Sequence, residues 1–107
     1  MPARKLSLAT IRKVAHALPG IEEGTSYGTP AFRFRRKLIA RLHQDGASLV
    51  LKIGNETRDH LLQADPETFF VTDHYRGHPI VLARLDRLTA ADLRKLLQRA
   101  TDLHPPR

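Results

Sequence analysis

Cysteine and long apolar segments are both missing from this chain of 107 residues. Without cysteine the protein cannot form disulfides, thiol nucleophiles or cysteine-based zinc sites, and such a sequence is typical of a reducing cytosol. The longest unbroken apolar run is the four residues Ile80 to Ala83, whereas a membrane helix needs about 20. The N-terminal MPARKLSL has basic residues but no apolar signal-peptide segment. We therefore expect a cytoplasmic protein with no membrane partner.

Acidic residues are few beside a local excess of arginine. The chain has 18 Lys and Arg against 11 Asp and Glu, a formal net charge of +7. From Tyr27 to Gln44 there are five basic residues and no acidic one, and outside that stretch the balance is 13 to 11. Because guanidinium groups pair with phosphate oxygens, a local arginine-rich patch suits a polyanion such as nucleic acid. A surface that only keeps the protein soluble has the same composition.

The spacing of apolar residues predicts three helices. The first runs from Ser7, a potential N-cap, to Leu18, where a Pro-Gly pair ends it. A short second helix is expected over residues 56–64. A third begins at about Thr89, with Asp92 in its first turn, where the helix dipole favours an acid. The tail over residues 104–107 is expected to fray.

After Pro30 the apolar period changes from that of a helix to that of a strand. Residues 22–30 are expected to form a loop, and strands are predicted at 31–35, 38–42 and 48–53, with Asp45-Gly46 as a hairpin signal. Two more strands are expected at 68–72 and 80–85. The order α-β-β-β-α-β-β-α, with one apolar sheet face, predicts an α+β fold. Its architecture is a two-layer antiparallel sheet packed against helices, in a single domain over residues 1–107.

A possible serine nucleophile lacks its structural context. Residues 24–28 read GTSYG and fit the pattern G-x-S-x-G around Ser26. In enzymes with that pattern, the serine lies in a strained turn between a strand and the helix that follows it. Here a helix precedes the pattern and a strand follows it, so we interpret the glycines as turn residues.

Two histidines four residues apart suggest a metal site or acid–base chemistry. On a helix, His74 and His78 would share one side with Asp73 nearby, but Gly77 and Pro79 disfavour a helix there. A catalytic role for His74 stays open because histidine titrates near neutrality, although no substrate site accompanies it. We therefore expect no catalytic residue, no metal and no cofactor.

The segment FRFRRK, residues 32–37, alternates aromatic and basic side chains. In a strand, Phe32 and Phe34 would face the core and the arginines between them would face away. We expect an exposed sheet face and turn that bind phosphates, with a nearby aromatic surface. The residues concerned are Arg33, Arg35, Arg36, Lys37 and Arg41, with Lys52 two strands away and Tyr27 as the aromatic.

The segment DHYRGHP, residues 73–79, lies between the last two predicted strands. As the tip of a hairpin it could stack on bases and bind phosphates through His74, Tyr75, Arg76 and His78. The alternative is a self-packed turn in which Asp73 binds the amides of its own loop.

Several motifs occur in an order that resembles the YjbR family, also called MmcQ-like. They are LPG, EEG-x-x-YG-x-PAF, LVLK and TDHYRG, and the resemblance covers nearly the whole chain. It implies a fold similar to frataxin-like and secretion-chaperone-like domains, an antiparallel sheet backed by helices. It also implies DNA binding through two wing-like hairpins, as suggested for family members.

Carried over to this chain, one wing would be the turn at residues 35–37 and the other would be residues 74–78. The resemblance leads to a glycine where this chain has Arg36, so a turn with positive φ is not expected. From the resemblance we also expect an aromatic residue where this chain has His78. Its absence weakens the prediction that bases stack on the second wing.

These observations predict a small domain that binds nucleic acid, in the first place DNA. It would contact the phosphate backbone with low sequence specificity, because no predicted helix offers a basic face suited to the major groove. The alternative is a protein-interaction module that uses the exposed sheet face or an edge strand. Salt would weaken binding by the first and leave binding by the second largely intact.

Overall fold

The structure, a computed structural model, describes residues 6–104. In this part of the chain two 3₁₀ turns, Asp73–Tyr75 and Leu85–Arg87, accompany three helices and six strands. These are α1 (Leu8–His16), β1 (Ile21–Ser26), β2 (Thr29–Phe34), β3 (Lys37–Leu42), β4 (Ser48–Lys52), α2 (Asn55–Ala64), β5 (Phe69–Phe70), β6 (Ile80–Arg84) and α3 (Ala90–Asp102). Residues 1–5, where no signal peptide was expected, and 105–107, most of the tail, lie outside the described part.

The six strands form one antiparallel sheet in the order β1-β2-β3-β4-β6-β5. Four strands follow the chain as a meander, α2 then crosses to the far edge, and β6 returns between β5 and β4. The predicted α+β class with an antiparallel sheet and helices is confirmed. No helix in residues 6–104 is both long enough and apolar enough to cross a bilayer.

The prediction of a loop at residues 22–30 is wrong, because this segment contains the edge strand β1. The whole of β1 pairs with β2, from Ile21 opposite Phe34 to Ser26 opposite Thr29. Tyr27 and Gly28 form the two-residue turn between them, with φ of 54° and 78°. Strand β1 was not predicted because its residues are mostly polar and include a glycine, so they show no alternation of apolar and polar side chains. Its formation depends on pairing with β2. The later strand expected at 68–72 is reduced to two residues, Phe69–Phe70.

Helices α1 and α3 cover one face of the sheet, here called the inner face. Phe32, Leu49, Leu51 and Val81 are fully buried there, and Phe34 is half-buried against the same core. Helix α3 adds an apolar stripe of Leu93, Leu96, Leu97 and Ala100. Both helices are capped: the side chain of Ser7, the predicted N-cap, accepts from the Thr10 amide at 3.1 Å, and Thr89 forms a capping box with Asp92. Burial of this stripe is the main driving force for docking the helices.

The opposite, outer face of the sheet is partly covered by the chain segment that joins β5 to β6. Strand register places Arg41, Val50, Leu82 and Phe70 side by side across this face. Tyr75 from the connecting segment packs on it, in a second apolar cluster with Val50, Ile80 and Leu82. The segment therefore lies back over the sheet instead of projecting from it.

Candidate nucleic-acid interface

The turn between β2 and β3 consists of Arg35 and Arg36, both with positive φ, at 53° and 68°. A two-residue hairpin turn with φ > 0 at both positions matches the right-handed twist of the flanking strands, which favours this turn type although neither residue is glycine. The expectation that Arg36 would prevent a positive φ is wrong. Each non-glycine residue in this region costs about 1–2 kcal/mol. The turn therefore holds two arginines at positions where asparagine and glycine would be more stable.

All three cations of this turn, Arg35, Arg36 and Lys37, are exposed. The guanidinium of Arg35 lies 5.3 Å from the centroid of the Phe34 ring, which holds that side chain at the sheet end. None of the three forms an ion pair with a carboxylate in residues 6–104, whereas Arg12, Arg58, Arg76 and Arg87 each do. The basic turn (residues 35–37) thus has three positive charges that no neighbouring acid neutralises.

The basic turn and the β5–β6 connection (residues 71–79) lie at the same end of the sheet. Strand pairing sets Phe34 opposite Lys37 and Lys52 opposite Ile80, and β3 and β4 are antiparallel neighbours. Three strand spacings separate the middle of the β2–β3 hairpin from the middle of the β5–β6 pair, about 14 Å. Both segments suggested as wings can therefore face one ligand.

Tyr75 is buried, so the expectation that it is free to stack on bases is wrong. Its ring lies in the second apolar cluster, and its hydroxyl accepts a hydrogen bond from the Nη2 of Arg41. His74 packs edge-on against the Tyr75 ring with centroids 4.8 Å apart. From α2, Arg58 donates to the carbonyl of His78. The connection is fastened to the sheet and to α2 by these contacts.

The remaining polar side chains of the connection point to solvent. His74, Arg76 and His78 are exposed, and Arg76 forms an ion pair with Asp73 at 2.9 Å. The Asp73 carboxylate therefore binds a side chain of its own loop and not the loop amides of the self-packed alternative. Because both partners are highly exposed, this pair contributes little to stability and leaves Arg76 free to exchange partners.

Arg41 was expected on an exposed sheet face, but only 4% of it is exposed. Alternation correctly sets Arg41 on the outer face, beside Val50. There Tyr75 covers it from one side and Tyr27 from the other, with the guanidinium 5.2 Å from the Tyr27 ring centroid. Its other acceptors are Thr29 Oγ1 and the Leu42 carbonyl at 3.3 Å, and Gln44 Oε1 at 3.4 Å. Every one of these partners is neutral, which is unusual for a buried arginine.

Arg33 and Lys52 also lie on the outer face, but they differ in how exposed their side chains are. Arg33 is half-buried and donates to the Thr25 carbonyl at 3.2 Å. Its guanidinium lies across Gly24, where a Cβ would come within 3.1 Å of the Nη1 atom. Lys52 is exposed at the end of β4, opposite Ile80 and next to the β5–β6 connection. Of the two, Lys52 is exposed as predicted, whereas Arg33 is more buried than predicted.

Tyr27 does not lie beside the basic turn, so this part of the prediction is wrong. It is in the turn at the opposite end of β2, whose six residues span about 17 Å. Its side chain is 79% exposed. The hairpin geometry could not be foreseen, because the pairing of β1 with β2 was missed.

Two residues that shape this surface were absent from the predicted set. Arg84, exposed at the end of β6, places its guanidinium 4.2 Å from the Phe70 ring centroid on the outer face. Arg58 holds the β5–β6 connection from α2. The alternation of β6 could have identified Arg84 as outward-facing, whereas no sequence signal links Arg58 to a segment 20 residues away.

The chemistry considered for serine and histidine has no assembled site in residues 6–104. Ser26 ends β1 and is followed by a turn into β2, so the pattern stands in a hairpin and not in a strand–turn–helix unit. The carboxylate of Asp73 pairs with Arg76 and not with His74. No group of three or more His, Asp or Glu side chains in these residues could hold a metal ion.

Comparison with known proteins gives two matches. The model of the YjbR family matches residues 16–103. Among solved structures, the Deinococcus radiodurans protein DR2400, which has a DUF419 domain, is similar, with a TM-score of 0.74 and 24% identity. The alignment covers 96% of this chain and 81% of DR2400, and at that identity the likeness shows the fold alone. No curated protein matches the chain in sequence.

Proposed function

The chain belongs to the YjbR family, and we propose that it binds nucleic acid, in the first place DNA, through phosphate contacts from the basic turn. The observation that carries this proposal is the set of three exposed, unneutralised cations at residues 35–37. The guanidinium groups of two arginines and the ammonium group of a lysine, placed on a projecting turn, are suited to binding phosphate oxygens. Such contacts position a protein on the nucleic acid without recognising its sequence. A cytoplasmic location, where nucleic acid is accessible, is part of the proposal.

Residues around the basic turn have secondary roles in this proposal. Lys52 and Arg33 extend the positive surface along the outer face, and Arg76, His74 and His78 offer further contacts from the β5–β6 connection at the same sheet end. Arg41 and Tyr75 act indirectly: by bonding to each other they hold that connection in place.

Nucleic-acid binding through the exposed face of α3 is the main alternative to binding through the basic turn. Arg94, Lys95 and Arg99 are exposed on α3, on the other side of the domain, although Asp92 and Asp102 are exposed on the same helix. The nearby acids reduce the potential of that surface, whereas Arg35, Arg36 and Lys37 form no ion pair with a carboxylate in residues 6–104. Substitutions that remove the same number of positive charges from α3 therefore serve as controls for substitutions in the basic turn.

The surface gives less support to a protein-interaction module. Among residues 6–104 only two large hydrophobic side chains are exposed, Tyr27 and Leu103, at 79% and 48%. Docking surfaces usually present a contiguous apolar patch, and these two residues lie at opposite ends of the sheet. Edge strand β1 offers free backbone groups but exposes Glu22 and Thr25.

The proposal is tested by fluorescence anisotropy of labelled duplex and single-stranded DNA over a salt series. With about four phosphates neutralised, duplex affinity falls roughly 150-fold between 50 and 200 mM salt, and single-strand affinity about 50-fold. A salt-independent affinity, or no binding at 50 mM, would contradict it. In that case the basic turn is surface charge only.

A further inference from the structure

We propose that strands β1 and β2 bind a single-stranded segment of nucleic acid lengthwise on their outer face, between the basic turn and Tyr27, with one base stacked on Tyr27. This inference rests on the proposed function, to which it adds the strand state of the ligand and a second contact point. Its starting observation is that Tyr27 and the basic turn lie at opposite ends of β2.

Tyr27 is held in a conformation that its side chain disfavours. It is the first residue of a two-residue turn with φ of 54°, a position where asparagine, aspartate or glycine is usual. Its ring is 79% exposed, while the other tyrosine of the chain is buried. A strained and exposed aromatic residue contributes little to folding, which points to a role in contacting a ligand.

Electrostatics at Tyr27 favour an electron-rich, anionic partner. One face of its ring lies over the guanidinium of Arg41, 5.2 Å away, and that guanidinium has only neutral hydrogen-bond partners. The other side of the residue is open to solvent. A base that stacks on an aromatic ring, with its phosphate near unneutralised arginines, is the arrangement by which proteins bind single strands.

A stretch of outer face with small side chains joins Tyr27 to the basic turn. Arg33 lies between the two ends with its guanidinium across Gly24, and the partly exposed outer-face residues Ser26 and Thr29 are small. Glu22, opposite Arg33, is the one acid in this stretch of the two strands that faces the same way. The stretch is about 17 Å long, the length of β2. Such a surface fits an extended strand, because a rigid duplex would not follow it and also present an unpaired base to Tyr27.

The test compares Tyr27→Asn with Tyr27→Phe for binding of labelled dT and rU oligonucleotides and of a duplex of the same length. Asn-Gly is the preferred sequence for this turn, so Tyr27→Asn removes the ring without weakening the hairpin. We expect Tyr27→Asn to bind both single strands about 5- to 150-fold more weakly, the range for one stacked base. We expect Tyr27→Phe to bind like the wild type, and neither change to alter duplex affinity.

Tyr27→Trp supplies an independent readout, because the chain has no other tryptophan. Its fluorescence should be quenched on addition of dT and unaffected by duplex. Equal affinity of Tyr27→Asn and wild type for dT, or duplex binding without single-strand binding, would overturn this inference and leave the proposed function standing. Failure of the wild type to bind any of the three probes at low salt would overturn both.

Discussion

The guanidinium of Arg41 on β3 donates a hydrogen bond to the hydroxyl of Tyr75, which follows it by 34 residues in the chain. This bond joins β3 to the β5–β6 connection, one of the two segments suggested as wings. It turns two expected ligand-binding residues into supports, since both side chains are buried. The exposed residues of the connection, His74, Arg76 and His78, depend on it for their position.

Removal of the Tyr75 hydroxyl should destabilise the domain. In Tyr75→Phe the Nη2 of buried Arg41 keeps Gln44 Oε1 as an acceptor, but one of its N–H groups loses the Tyr75 hydroxyl. Leaving a buried N–H without its partner costs about 1–3 kcal/mol. Urea denaturation of both proteins measures the difference. Tyr27→Phe is the matched control, because its hydroxyl is on an exposed side chain and its removal should change stability by less than about 0.5 kcal/mol. Equal effects of the two substitutions would show that the Arg41–Tyr75 bond contributes nothing.

Substitutions in the basic turn should make the protein more stable and weaken its binding to DNA. Replacing Arg35 by asparagine and Arg36 by glycine gives the preferred sequence for a two-residue turn with positive φ and relieves about 1–2 kcal/mol of strain. Thermal unfolding should move up by about 5 °C or more. The same variant should bind DNA with a shallower salt dependence. A lower melting temperature would mean that Arg35 and Arg36 stabilise the hairpin through contacts other than the turn itself.

Glu23 should make the attachment of α1 sensitive to acid. Hydrogen bonding from Arg12, together with contact to His16, holds the pKa of this carboxyl below its usual value of 4.5 despite partial burial. A lowered pKa in the folded state means that the stabilisation is present above about pH 4.5 and is lost as the pH falls through the folded value. The pair is partly exposed, so its contribution is at most about 1 kcal/mol.

Urea unfolding of wild type and Glu23→Gln at several pH values measures this effect. The wild type should be the more stable at pH 7, and the difference should vanish in acid. Glu22→Gln is the control, because Glu22 faces the outer side and forms no ion pair in residues 6–104. A difference between wild type and Glu23→Gln that stays constant across pH would contradict the assignment.

Local patterns predicted most of the elements but not how exposed their side chains are. Periodicity and caps located the three helices and strands β2, β3, β4 and β6, because each contributes apolar side chains to the inner core, although those of α2 are only partly buried. Strand β1 was missed since its residues are polar and its pairing is imposed by β2. The burial of Arg41 and Tyr75 could not be predicted, because it follows from a connection that folds back over the outer face.

The measurement that most directly tests the proposed function compares two double variants with equal loss of charge. Arg35→Ala with Lys37→Ala removes two cations from the basic turn, and Arg94→Ala with Arg99→Ala removes two from α3, on the opposite side. In a salt series on duplex DNA, the first should lower the slope of log affinity against log salt by about two, and the second should leave it unchanged. A slope that falls only in the α3 variant, or equally in both, would contradict binding through the basic turn.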